Sequence, residues 1–187
     1  MDARLHAGTE LRGKQLGIIG RGRIGRAVAA KAPAFGMRAV FASKGQGGRG
    51  AARAADDELS LDELLVTSDV VSIHAPMTPA NRHLIDRRAF ARMKRTAFLV
   101  NTARGPIVDE EALAWALQER LIAGAALDVY EREPEVHAAL REFENAVLVP
   151  HLGSATRETR TAMIELAVKN VVAVLHGRPA LTPVPSS

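Results

Sequence analysis

The sequence predicts an α/β domain, a doubly wound parallel sheet in three layers (α/β/α) forming a single domain. Three observations predict it. Six short, nearly continuous apolar runs alternate with amphipathic stretches along the chain, the pattern of parallel strands buried on both faces and joined by helices. A glycine-rich turn directly follows the first apolar run. The length of 187 residues, with 47% hydrophobic and 25% charged side chains, suits one domain that buries roughly 70% of its unfolded surface.

Strands are expected at residues 15–20, 38–43, 70–75, 97–102, 125–129 and 146–150, each aliphatic or β-branched and too short for a helix. Helices are expected at 24–35, 60–65, 86–93 and 109–120, with a long final one over 156–175. Ser60 followed by Glu63 reads as a capping box, and Asp109 as an N-cap. The glycine-rich stretch 44–50 reads as a surface loop. The tail 178–187, with its three prolines, reads as extended and mobile beyond a domain spanning 1–177.

Composition excludes several classes of function. With no cysteine there is no disulfide, thiolate nucleophile or cysteine-based metal site. No apolar run approaches the ~20 residues of a membrane span, and the first residues lack the apolar core of a signal peptide. A cytoplasmic setting without membrane partners is therefore expected. The net charge of +4 is unevenly spread, since residues 11–55 contain no acid but ten bases, among them Arg12, Arg21, Arg23, Lys31, Lys44, Arg49 and Arg53. With one Trp and one Tyr this patch offers little for base stacking, so a small anionic ligand is expected rather than nucleic acid.

The segment GIIGRGRIGRAVA sets Gly20, Gly22 and Gly25 in a G-x-G-x-x-G pattern between a strand and a helix, the Rossmann-type fingerprint. Gly20 allows the tight turn, Gly22 lets backbone approach a pyrophosphate, and Gly25 lets helix and sheet lie close. The N–H groups near Arg23 and Ile24, at the positive end of the helix, would receive the diphosphate. The alternative is a glycine turn without a ligand. NAD-preferring domains carry an acid ~20 residues after the motif, at the end of the second strand. Here Ser43 and Lys44 stand there, and Lys44 with Arg49 or Arg53 could pair with a 2′-phosphate. That favours NADP(H) and leaves NAD(H) open.

Five separate blocks carry a resemblance: GTELRGKQLGIIGRGRIGRAVA, SDVVSIHAPMTPANRHLI, MKRTAFLVNTARGPIVDEEAL, GAALDVYEREP and VLVPHLGSAT. In order and spacing they resemble the D-isomer-specific 2-hydroxyacid dehydrogenases, close in style to the glyoxylate and hydroxypyruvate reductase branch. The resemblance implies a substrate-binding arginine at Arg104, an acid at Glu133 and a histidine at His151. A guanidinium suits the planar carboxylate of a 2-keto acid, and an imidazolium beside a carboxylate can protonate a carbonyl oxygen. It also implies that His74, Ala75 and Pro76 cover the cofactor. Thr102, Ala103 and Asp128 would lie by the nicotinamide, with His151, Gly153 and Ser154 close by. His6, His83, His137 and His176 receive no role and are expected on the surface. No histidine is spaced for a metal, and none is expected. Trp115 reads as core packing.

The resemblance further implies that the front segment of the family's substrate domain is absent, and with it a loop that donates N–H groups to the substrate carboxylate. Three functions follow as alternatives. The first is an NADP(H)-dependent reductase of a small 2-keto acid such as glyoxylate or hydroxypyruvate, completed by a separate front-half chain or itself a fragment, with a homodimer as a further alternative. The second is a dinucleotide-binding module without turnover that binds a partner. The third is another Rossmann enzyme, which would leave the NTARG and PHLGSAT blocks unexplained.

Overall fold

The computed structural model describes residues 8–42 and 57–183. They divide into two compact units, one ending at Pro150 and one beginning at His151, and each is considered by itself. The first holds the sheet: β1 (Gln15–Ile19), β2 (Arg38–Ala42), β3 (Glu58–Leu59), β4 (Val70–Ile73), β5 (Phe98–Asn101), β6 (Gly124–Leu127) and β7 (Ala146–Leu148). All neighbours are parallel, in the order β3-β2-β1-β4-β5-β6-β7. The chain runs outward from β1 to β3, returns, and runs outward the other way from β4. The β1–β4 boundary is thus a topological switch point, where open α/β sheets bind ligands beyond their carboxyl ends.

The expected α/β architecture is the observed one, with one strand more than the sequence predicted. Strand β3 has only two residues, too few to show any periodicity. It forms because its backbone completes the edge of β2, with Phe41 opposite Glu58 and Ala42 opposite Leu59.

Four helices belong to the first unit: α1 (Arg23–Lys31), α2 (Leu61–Thr67), α3 (Arg87–Arg92) and α4 (Glu110–Gln118). The single helix expected over 24–35 ends its α-helical part at Lys31 and continues as a 3₁₀ turn, Ala32–Phe35. Pro33 cannot donate an N–H, and Gly36 at φ 68 closes the turn. The Ser60–Glu63 capping box forms as expected, and Asp109 caps α4 by accepting from Ala112 N–H at 3.0 Å.

Strand alternation divides the core between the sheet faces. Leu16, Ile18 and Phe41 pack with Ala32 and Met37 beneath α1. Ile19, Val40, Val71, Ile73 and Leu99 face the opposite way, into the larger core with Leu64, Phe90, Leu113 and Leu117 from α2, α3 and α4. Gly17 lets α2 lie directly on β1, because a Cβ there would stand 2.6 Å from Leu64 Cδ2. The last strand departs from the expectation of burial on both faces: Val147 is 60% exposed. It borders an apolar groove of about 460 Å³ that also runs along Val70, Phe98 and Val100.

The second unit contains α5 (Arg157–Leu175), capped by Thr156, whose hydroxyl accepts from Thr159 N–H at 3.1 Å. Asn170 on this helix holds Thr182 twice, donating to its hydroxyl at 3.0 Å and accepting from its N–H at 3.1 Å. The tail is therefore anchored as far as Thr182. Among the described residues, no helix is long and apolar enough to cross a membrane.

Candidate functional site

The site is built where β1 and β4 end. His74 N–H donates to Ile19 carbonyl at 2.7 Å, so the loops leaving the two strands touch. Gly20, at φ 108, presses backbone against backbone: a Cβ would lie 2.6 Å from Ala75 N and 2.6 Å from the His74 carbonyl carbon. Gly25 is buried in the first turn of α1, where a Cβ would strike the Gly20 carbonyl oxygen. Gly22 is different. It is the extended N-cap residue, and a Cβ on it would meet nothing within 4 Å. The three glycines thus divide into two that allow contact within the protein and one that faces open space.

That space is a cleft of about 910 Å³, in the size range of small-molecule sites. It is lined by Gly22, Arg23 and Ile24 from the glycine loop, His74, Ala75 and Pro76 from the loop after β4, and Thr102, Ala103 and Arg104 from the loop after β5. Nine sequence-predicted residues thus come together, with Gly20 and Gly25 directly behind them. The first helical hydrogen bond of α1 runs from Arg26 N–H to Gly22 carbonyl at 3.0 Å. The N–H groups of the first turn therefore have no partner within the helix, and no acid stands in that turn. Ile24, 65% exposed, lays an apolar side chain on the cleft. These features fit a dinucleotide: an anion seat, room beside Gly22, and apolar walls. Ser43 and Lys44, with Arg49 and Arg53, lie outside the described residues.

His74 pairs with Ser72 across 2.9 Å, and its burial pushes the imidazole pKa below the usual value, so the ring at the cleft is neutral near pH 7. Ser72 is a buried polar residue inside an apolar strand, and nothing in the local sequence marks it as part of the site. Asn101 is likewise polar and fully buried, at the end of β5. Asn101 donates from Nδ2 to Arg104 carbonyl at 3.0 Å and accepts from Ala103 N–H at 3.1 Å, clamping the turn that presents Arg104. The Arg104 guanidinium folds onto Ala103 carbonyl at 2.6 Å.

Gly105 brings the Arg104 loop against the loop after β6. A Cβ there would strike the Tyr130 carbonyl group and stand 2.5 Å from Glu131 N. Glu133 lies in that second loop, exposed, with Oε1 accepting from Tyr130 N–H at 3.1 Å. Asp128, directly after β6, is buried, and its N–H donates to Asn101 carbonyl at 2.9 Å. His151 opens the second unit with φ 53, in the left-handed region, and Gly153 and Ser154 follow in the turn that precedes α5. The surface expectation for two histidines is corrected. His83 is half-buried against Glu131, Nε2 to Oε2 3.0 Å, and His137 has a buried Nδ1. Both lie where the loops before α4 and after β6 meet, a junction that local sequence does not reveal.

A glycine-turned helix terminus at the switch point of a parallel sheet defines a dinucleotide-binding domain. The family model for the D-isomer specific 2-hydroxyacid dehydrogenase NAD binding domain matches residues 2–153, and the chain belongs to that family. It is 49% identical over 172 residues to a glyoxylate reductase of Aeropyrum pernix, covering 91% of this chain and 51% of that protein. Among solved structures, a protein of Thermus thermophilus superposes with a TM-score of 0.89 at 46% identity, covering 99% of this chain and 58% of the other. An NADPH-dependent glyoxylate/hydroxypyruvate reductase of Sinorhizobium meliloti gives 0.82 at 36% identity, covering 93% and 54%. The chain spans about half the length of the relatives it matches.

Proposed function

We propose that the chain is the cofactor-binding part of an NADP(H)-dependent reductase of small 2-keto acids such as glyoxylate or hydroxypyruvate. The observation that carries this reading is the cleft itself, where the glycine loop and Arg104 border one space at the carboxyl ends of the strands. The N–H groups at Gly22, Arg23 and Ile24 would receive the diphosphate. His74, Ala75 and Pro76 form the facing wall, and Thr102, Ala103 and Asp128 take the nicotinamide end. When bound, the nicotinamide supplies the hydride. Everything else falls to the side chains. Arg104 binds the substrate carboxylate with paired N–H donors. His151 delivers a proton to the carbonyl oxygen, and Glu133 is the acid of the reaction. The names of the relatives from Aeropyrum pernix and Sinorhizobium meliloti support the substrate class and, for the second, the phosphorylated cofactor.

The test has two parts. Calorimetric titration of this chain is expected to give tighter binding of NADPH than of NADH. Loss of reduced-nicotinamide absorbance with glyoxylate or hydroxypyruvate is then followed for this chain and for the chain fused to the front half of the Aeropyrum pernix reductase. A fusion that binds cofactor yet turns over no small 2-keto acid overturns the reductase reading and leaves a binding module.

A further inference from the structure

The glycine loop carries a cation whose side chain turns away from the diphosphate seat. Arg21, between Gly20 and Gly22, crosses the carboxyl end of β2 with its guanidinium carbon 4.8 Å above the centre of the Phe41 ring. It ends in two ion pairs, Nη1 to Glu58 Oε1 at 2.6 Å and Nη2 to Asp57 Oδ2 at 3.1 Å. The acids reach this point because β3 pairs with the end of β2: Phe41 N–H donates to Asp57 carbonyl at 2.7 Å, and Glu58 stands opposite Phe41. Residues far apart in the chain thus form a charged group just past β2. In a dinucleotide-binding sheet that is the place of the adenosine ribose.

We infer that Arg21 is the specificity-determining residue for the 2′-phosphate of the cofactor, and that Asp57 restrains it. The inference rests on the reading that the cleft binds NADP(H). A guanidinium has five N–H donors in a planar fork, and the two ion pairs engage one donor on each terminal nitrogen, so a phosphate can be received without breaking the group apart. The arginine is preset, stacked on Phe41 and held by Glu58, whose side chain is only 16% exposed. Less conformational freedom is then lost on binding than with a free surface lysine. The two acids are unequal. Glu58 makes the shorter and more buried contact and anchors the fork, whereas Asp57, 40% exposed at a longer distance, adds negative charge beside the incoming phosphate. Two carboxylates against one guanidinium leave a net negative group, which weakens NADPH binding relative to what Arg21 alone would give.

The experiment is calorimetric titration of the full chain with NADPH, NADH and, as a probe of this place alone, adenosine 2′-monophosphate. Arg21→Met is expected to lower the preference for NADPH over NADH about tenfold and to weaken adenosine 2′-monophosphate by a similar factor. Asp57→Asn is expected to tighten both phosphorylated ligands several-fold, with the gain shrinking as salt rises. Arg21→Lys should fall between parent and Arg21→Met. Thermal melts check that each variant is folded, and Asp57→Asn keeps the test open should Arg21→Met fail to fold. If a parent that prefers NADPH keeps its preference in Arg21→Met, or if Asp57→Asn weakens the phosphorylated ligands, this inference alone is overturned. A parent that binds NADH in preference, or neither nucleotide, overturns the NADP(H) reading and this inference with it.

Discussion

Glu110 and Glu131 hold each other's backbone: Glu131 N–H donates to Glu110 Oε1 at 2.7 Å, and Glu110 N–H donates to Glu131 Oε1 at 3.0 Å. This reciprocal clamp joins the start of α4 to the loop after β6 that carries Glu133. The pKa values of the two carboxyl groups are shifted in opposite directions. Burial pushes the Glu110 pKa up, and the neighbouring Glu131 charge adds to that. Burial acts on Glu131 too, but the Glu110 N–H, His83 and Arg82 outweigh it and hold its pKa below the usual value.

The clamp predicts a sign-specific pH profile. Because the folded pKa of Glu110 lies above its ordinary 4.5, the stability it contributes is full below 4.5 and is lost as pH rises through the folded value. Glu110→Gln keeps an oxygen for Glu131 N–H and does not titrate. Urea unfolding at a series of pH values should therefore show the variant gaining on the parent as pH rises above 4.5. Glu110→Ala leaves Glu131 N–H without its acceptor and should cost about 1–3 kcal/mol. Parallel profiles for parent and Glu110→Gln would refute the raised pKa.

The glycines of the loop should separate binding from folding. Gly22 has φ −79 and open space at its Cβ position, so Gly22→Ala should melt within about 2 °C of the parent. Its methyl group would stand where the diphosphate must approach, so NADPH affinity should fall at least about tenfold. Gly25→Ala drives a Cβ into the Gly20 carbonyl, which as backbone cannot swing aside. Both melting temperature and binding should fall, and a Gly25→Ala chain as stable as the parent would contradict the observed contact.

Asp69 anchors the opposite end of the same strands. Its carboxylate accepts from Gln15 N–H at 2.8 Å and meets Lys94 Nζ at 3.0 Å. Burial raises its pKa, but the Gln15 N–H together with Lys94 and Lys14 outweighs that and lowers it. The stability it contributes is thus present above 3.8 and lost as pH falls through the lower folded value. Asp69→Asn should cost about 1 kcal/mol near neutrality, and denaturation curves should show that difference closing below pH 3.8. A difference that persists unchanged in acid would rule out the charge as its source.

What the sequence disclosed was chemistry that acts locally. The alternation of apolar runs exposed the strands of the sheet because a parallel strand must be apolar on both faces. Gly20, Gly22 and Gly25 were legible because one turn between a strand and a helix explains all three. What escaped was chemistry made by juxtaposition. Arg21 meets Asp57 and Glu58 only because β3, too short to signal itself, adds to the edge of β2. Glu110 meets Glu131 only because α4 begins beside the loop after β6. The pairing of His83 with Glu131 arises at the same junction, and no spacing in the chain announces it.

Asn101 could have been suspected, since it is a polar residue closing the apolar run FLVN of β5, and it yields the most discriminating prediction. With no exposed surface, it satisfies Arg104 carbonyl and Ala103 N–H at once. Asn101→Ala leaves both groups without their partner and frees the turn that presents Arg104, at an expected cost of about 2 kcal/mol. Loss of stability alone would not single out this role, so Leu99→Ala, in the same strand and fully buried, serves as the comparison at about 2–5 kcal/mol. Only Asn101→Ala should weaken NADPH binding beyond what its fraction of unfolded chain explains, because only it displaces a wall of the cleft. Equal loss of affinity in the two variants, once corrected for unfolding, would show that Asn101 supports the core and not the site.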